Sequence, residues 1–134
     1  MKYVKKVVLV VLTTMVLMAS AVTVYAAVQW SYLTTIAAGL EFEDNNIVHV
    51  SVTCDSDPRD VNKMTVKCEL QQYDGGWKTI KTWTETKNDS VIRFYKDYAV
   101  AKNYSYQLKI TASVYDGSTL LEEISDEYAE QFYR

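Results

Sequence analysis

From Tyr104 to Tyr115 apolar and polar residues alternate without a break. Tyr104, Tyr106, Leu108, Ile110, Ala112 and Val114 fall on one side, Ser105, Gln107, Lys109, Thr111 and Ser113 on the other. Successive side chains of an extended chain point to opposite faces, so a period of two specifies a strand with one face in a core and the other in water. The same period runs through Val48, Val50, Val52 and Cys54. It returns in Met64, Val66, Cys68 and Leu70, set against Lys63, Thr65, Lys67 and Glu69. Shorter β-rich runs at 32–40, 77–84, 91–95 and 119–128 bring the set to about seven strands, the number expected of an immunoglobulin-like sandwich. The expected fold is therefore all-β: an antiparallel β-sandwich of immunoglobulin-like or fibronectin type.

Two turns set the expected register. Asp74-Gly75-Gly76, read as a three-residue hairpin loop with a glycine in the left-handed position, places Leu70 opposite Ile80 on the core side. On the outer side it pairs Tyr73 with Trp77, Glu69 with Lys81 and Lys67 with Trp83, which suits aromatic, ionic and cation–π contact. Asp116-Gly117-Ser118, read the same way, pairs Val114 with Leu120, Ile110 with Ile124 and Tyr106 with Tyr128. Tyr104 and Tyr106, at the start of a long strand, are assigned to structure, where a tyrosine often hydrogen-bonds a neighbouring loop.

Residues 1–26 read as a secretory signal helix. Lys2, Lys5 and Lys6 precede a mostly apolar run from Val7 to Val24, and Val24-Tyr25-Ala26 supplies small residues at the cleavage positions. An uncleaved anchor is the rival reading, since the run approaches the ~18 residues of a bilayer span. Thr13, Thr14 and Ser20 dilute it, and cleavage before Ala27 is expected. Residues 27–134, 108 in all, then form one secreted, extracellular domain that touches a membrane only through the signal segment before cleavage. Without the three lysines, 11 basic residues face 17 acidic ones, a formal charge of −6. That balance argues against nucleic acid, whose phosphate backbone calls for clustered Lys and Arg.

The run Gln71-Gln72-Tyr73-Asp74-Gly75-Gly76-Trp77-Lys78-Thr79-Ile80-Lys81-Thr82-Trp83 is followed by Tyr104-Ser105-Tyr106-Gln107-Leu108-Lys109 and Val114-Tyr115-Asp116-Gly117. With these strand and turn motifs the chain resembles small secreted proteins of Gram-positive bacteria that carry a signal peptide and one β-sandwich domain. The resemblance implies a fold and a compartment, and it assigns no catalytic or binding residue.

Chemistry has few carriers. His49 is the single histidine, placed by alternation on the outer face of its strand, and nothing in the sequence sets a nucleophile and an orienting acid beside it. One histidine and two cysteines fall short of a structural zinc site. Asp55, Asp57 and Asp60 cluster in a loop where calcium would seek oxygen ligands, but Pro58, Arg59 and Val66 occupy positions at which a calcium loop wants other residues. A solvated acidic turn is the expectation there, and no metal or cofactor is predicted. Cys54 and Cys68 both face inward. They can bridge the core if their strands belong to opposite sheets, or remain two buried thiols.

Aromatic residues are the remaining signal. Tyr73, Trp77 and Trp83, with Lys67, are the expected binding residues on one hairpin face, where rigid rings can meet a sugar or anchor a protein. The chain is expected to be a non-enzymatic recognition module for an unknown glycan or protein ligand at the cell surface. A secreted effector or inhibitor acting on another protein, and a small carboxylate-based hydrolase, are the alternatives.

Overall fold

The computed structural model describes residues 30–134, in which strands are joined by turns and no helix occurs. The expected signal segment, residues 1–26, lies outside the described residues. The strands are β1 (Leu33–Glu43), β2 (Ile47–Ser56), β3 (Lys63–Tyr73), β4 (Trp77–Lys87), β5 (Val91–Ala99), β6 (Tyr104–Asp116) and β7 (Thr119–Tyr133). They form two antiparallel sheets, β1-β2-β5 and β4-β3-β6-β7. Each of the seven segments anticipated from the sequence is a strand.

The alternating residues supply the core. Val48, Val50, Val52 and Cys54 of β2 and Ile92 and Phe94 of β5 are buried. So are Met64, Val66, Cys68 and Leu70 of β3 and Tyr106, Leu108, Ile110, Ala112 and Val114 of β6. Full burial of one Val, Leu or Ile side chain contributes roughly 1.5–3 kcal/mol, so the four central rows outweigh any surface contact.

Three tyrosine and carboxylate contacts close the ends. The Tyr106 hydroxyl donates to Ala101 O at 2.5 Å and accepts from Gln72 Nε2 at 2.9 Å. Phe42 stacks on Tyr133 with ring centres 4.6 Å apart, and the Tyr133 hydroxyl donates to Glu43 O. Glu122 of β7 reaches the start of β1, accepting from the backbone N–H groups of Ser31, Tyr32 and Leu33 at 2.7, 3.0 and 2.9 Å. Partial burial alone would raise the Glu122 pKa, but the three donors outweigh it and hold the carboxyl below its ordinary value.

The hairpin registers differ from the expectation beyond the turns. Tyr73 pairs with Trp77 across a loop in which Gly75 has φ 69°. Ile80 is then an extra residue, lying between the pairs Gln71–Thr79 and Leu70–Lys81. A bulge moves every later side chain to the other face. Trp83 therefore lies opposite Cys68 rather than Lys67, Lys67 opposite Thr84, and Glu69 opposite Thr82. The indole turns toward the opposite sheet and meets Tyr98 of β5 edge-on, with ring centres 6.1 Å apart.

At the second hairpin the loop has two residues, Gly117 and Ser118, because Asp116 pairs with Thr119. Asn62 fastens it, accepting from Gly117 N at 2.8 Å and donating to Asp116 Oδ1 at 3.2 Å. Leu121 is extra, so Val114 pairs with Glu122, Ile110 with Asp126 and Leu108 with Tyr128. The shorter loop and the bulge each shift the pairing by one, which restores parity: Ile124 and Tyr128 keep the expected face. Leu120 does not, and it is exposed. A further irregularity beyond Tyr128 contains Ala129 at φ 59° and brings Tyr106 opposite Gln131.

Candidate functional site

The outer face of the three-stranded sheet is built in rows. Gly39, Ser51 and Tyr95 make one, and Glu41, His49 and Asp97 the next. A Cβ on Gly39 would stand 2.9 Å from Ser51 Oγ, so a larger residue there would turn the Ser51 hydroxyl aside and raise the surface. The low row is the floor of an open groove of about 470 Å³, with Glu41, His49 and Asp97 at one end and Tyr95, 80% exposed, as a wall.

His49 lies on the outer face, as its strand's alternation requires. Its Nε2 is 2.8 Å from Glu43 Oε1, and its Nδ1 bonds Asp97 Oδ1. The hydrogen bond to Glu43, then that to Asp97, raises its pKa to about 9. The ring is an imidazolium at neutral pH with both nitrogens engaged, so neither can take a proton from the nearby Ser51. The two carboxylates also sit at opposite ends of one ring. Among the described residues no group of three or more His, Cys, Asp or Glu side chains is arranged to hold a metal ion.

The acidic trio does not stay together in one loop: Asp55 belongs to β2, and it and Asp57 have separate basic partners. Asp55 lies 3.6 Å from Arg93, and Asp57 lies 2.6 Å from Arg59, whose hydrogen bonds lower the Asp57 pKa to about 2. Cys54 and Cys68 are free thiols, both fully buried, on facing strands of opposite sheets. Burial pushes each up to about 12, with Asp55 adding to the first and Cys54 to the second.

The outer face of the four-stranded sheet has another character. Hydroxyl and amide side chains bridge its strands: Thr65 to Thr86 at 2.8 Å, Thr111 to Ser125 at 3.0 Å, and Gln107 Nε2 to Gln71 Oε1 at 2.8 Å. At the hairpin end this polar surface gives way to rings. Tyr73, 49% exposed, meets Trp77 edge to face at 5.3 Å. Ser105 pairs with Phe132, 50% exposed, and the β3–β6 register continued by one residue sets Tyr73 beside Ser105. Trp77, Tyr73, Ser105 and Phe132 thus form one row across all four strands.

Of the four expected binding residues, this row keeps two. Trp83 leaves because the bulge at Ile80 turns it toward Tyr98. Lys67 stays on the outer face but has lost its tryptophan, and it faces Glu69 on its own strand at 3.8 Å. Phe132 and Ser105 were missed. Phe132 lies past the end expected for its strand, and the positive φ at Ala129 separates it from the alternation before it. Compared with known proteins, the chain matches no protein-family model and none of the curated proteins.

Proposed function

We propose that residues 27–134 are a secreted, non-enzymatic recognition domain that binds an extracellular glycan along the aromatic row of the four-stranded sheet. The observation that carries this reading is the row itself: three rings held on paired strands, two of them half exposed, beside Gln71, Gln107 and Thr79. A sugar offers C–H faces to rings and hydroxyls to amides, and both kinds of partner lie together here. Rings fixed by strands lose little freedom on binding.

The fold type supports a recognition role. The order β1-β2-β5 against β4-β3-β6-β7 fits a fibronectin-type sandwich, and the Tyr106 to Ala101 hydrogen bond fits the tyrosine corner of such domains. The signal-like N-terminus supports a ligand met outside the cell.

Titration of the exported protein against cell-wall and host-surface glycans tests the reading. Trp77→Ala and Tyr73→Ala should each weaken binding about tenfold or more, as central aromatic anchors do, with the sheet spectrum unchanged. Capture of a surface protein with no affinity for any glycan would replace the glycan by a protein partner. Wild-type binding by both variants would move the site off this face.

A further inference from the structure

The two sides of the sandwich carry opposite charge. On one side β1 and β7 lie together, and their acidic residues are Glu41, Glu43, Glu122, Glu123, Asp126, Glu127 and Glu130, with no lysine or arginine on either strand. On the other side β4 and β5 lie together, with Lys78, Lys81, Lys87, Arg93 and Lys96 against Glu85 and Asp97. Both acids of the second side are occupied, Glu85 by Lys96 at 3.3 Å and Asp97 by His49. Arg93 faces Asp55 and Lys78 faces Asp74, so Lys81 and Lys87 are the cations of that side with no carboxylate partner among the described residues.

Among the described residues, β4 and β7 are also the outermost strands of the larger sheet, each with one row of backbone N–H and C=O groups outside the ladder. Exposed edges invite pairing, and charge is the usual means of preventing it. Here the charge prevents only some pairings. Two β7 edges repel one another, as do two β4 edges, whereas β4 of one copy and β7 of another attract.

We propose that the domain associates head to tail with a second copy of this chain, β7 of one copy adding to β4 of the next. The strand count favours this edge over the other sheet. In four antiparallel strands β4 and β7 run in opposite directions, so a translated copy continues the sheet antiparallel. In the three-stranded sheet β1 and β5 run the same way, and the same translation would require a parallel join, which is the weaker kind.

Each edge has one unbroken stretch, Lys81 to Lys87 after the bulge in β4 and Glu122 to Tyr128 between the irregularities of β7. Full antiparallel overlap sets Lys87 opposite Glu122, Thr84 opposite Ser125 and Lys81 opposite Tyr128, with no like charges opposed. Such a contact joins different patches, so it repeats rather than closing at a dimer. The proposal does not depend on the glycan reading.

Sedimentation velocity of the exported protein over a range of concentrations tests it. At about 20 mM salt, where screening is weak, the mean mass should climb past a dimer with concentration, and it should fall to the monomer near 0.5 M. Two double variants then exchange the edge charges: Lys81→Glu with Lys87→Glu, and Asp126→Lys with Glu127→Lys, Asp126 lying on the same face as both lysines and diagonal to Lys81 in the joined sheet. Each alone should be monomeric at low salt, and an equimolar mixture should regain association. Should either double variant lose its sheet spectrum, Lys81→Glu and Asp126→Lys take their place. A wild type that is monomeric at low salt, one that stops at a dimer, or a mixture that stays monomeric would each overturn the proposal.

Discussion

Trp77 and Trp83 belong to the same strand, yet they serve opposite sides of the sheet. Trp77 lies near the turn, where the loop fixes the pairing, and its ring stands outward against Tyr73. Trp83 lies beyond Ile80, and its ring crosses toward Tyr98 of the other sheet. One unpaired residue between them separates a ring available to a ligand from a ring that helps close the sandwich. Facing on a strand is thus a cumulative property, and one bulge resets it for everything that follows.

Truncation should separate the two rings most strongly. Trp83→Ala is expected to cost about 2–4 kcal/mol in urea unfolding, less than a fully buried tryptophan because the ring is only half-buried. A cost near zero would mean that Trp83 faces solvent and that the bulge is absent in solution. Deleting Ile80 should cost about 1–2 kcal/mol, the worth of a half-buried aliphatic side chain and of the Tyr98 hydroxyl bond to Ile80 O. The pairs on either side survive that deletion, so acrylamide should quench Trp83 no faster than before in a chain whose other tryptophans are phenylalanine. Trp77→Ala should cost about 1–2 kcal/mol, from its edge-to-face pair with Tyr73 and from the part of its ring that is buried.

The smallest effect belongs to the other sheet. The His49 pKa is raised to about 9 in the folded chain from 6.5. Its contribution to stability is complete below pH 6.5 and is lost as the pH climbs through about 9. The thermal midpoint should decline over that window in the wild type by more than in His49→Gln. Equal profiles would mean that Glu43 and Asp97 do not hold the ring in solution.

The seven strands were legible because burial on one face writes a period of two into the sequence, and the Tyr73–Trp77 pair was legible because Gly75 fixes the turn. Register beyond the turns was not. Thr79-Ile80-Lys81 reads as ordinary strand, and nothing local marks Ile80 as the residue without a partner. At the second hairpin two unseen irregularities compensated, so Ile124 and Tyr128 kept the expected face although their partners changed. The groove beside His49 was invisible for another reason. Gly39, Ser51 and Tyr95 lie on three strands, and only their alignment across the sheet makes a floor and a wall.

Glu122 bonds the backbone of Leu33 from 89 residues away, and Tyr133 reaches Glu43 from 90. Contacts so distant in sequence form only after the intervening loops have closed, and sandwiches dominated by them fold in milliseconds to seconds. β7 leaves the ribosome after the six other strands, so the bonds that tie the start of β1 in place cannot form until residues 119–133 have emerged. Until then three backbone N–H groups at the start of β1 lack the carboxylate that accepts from them.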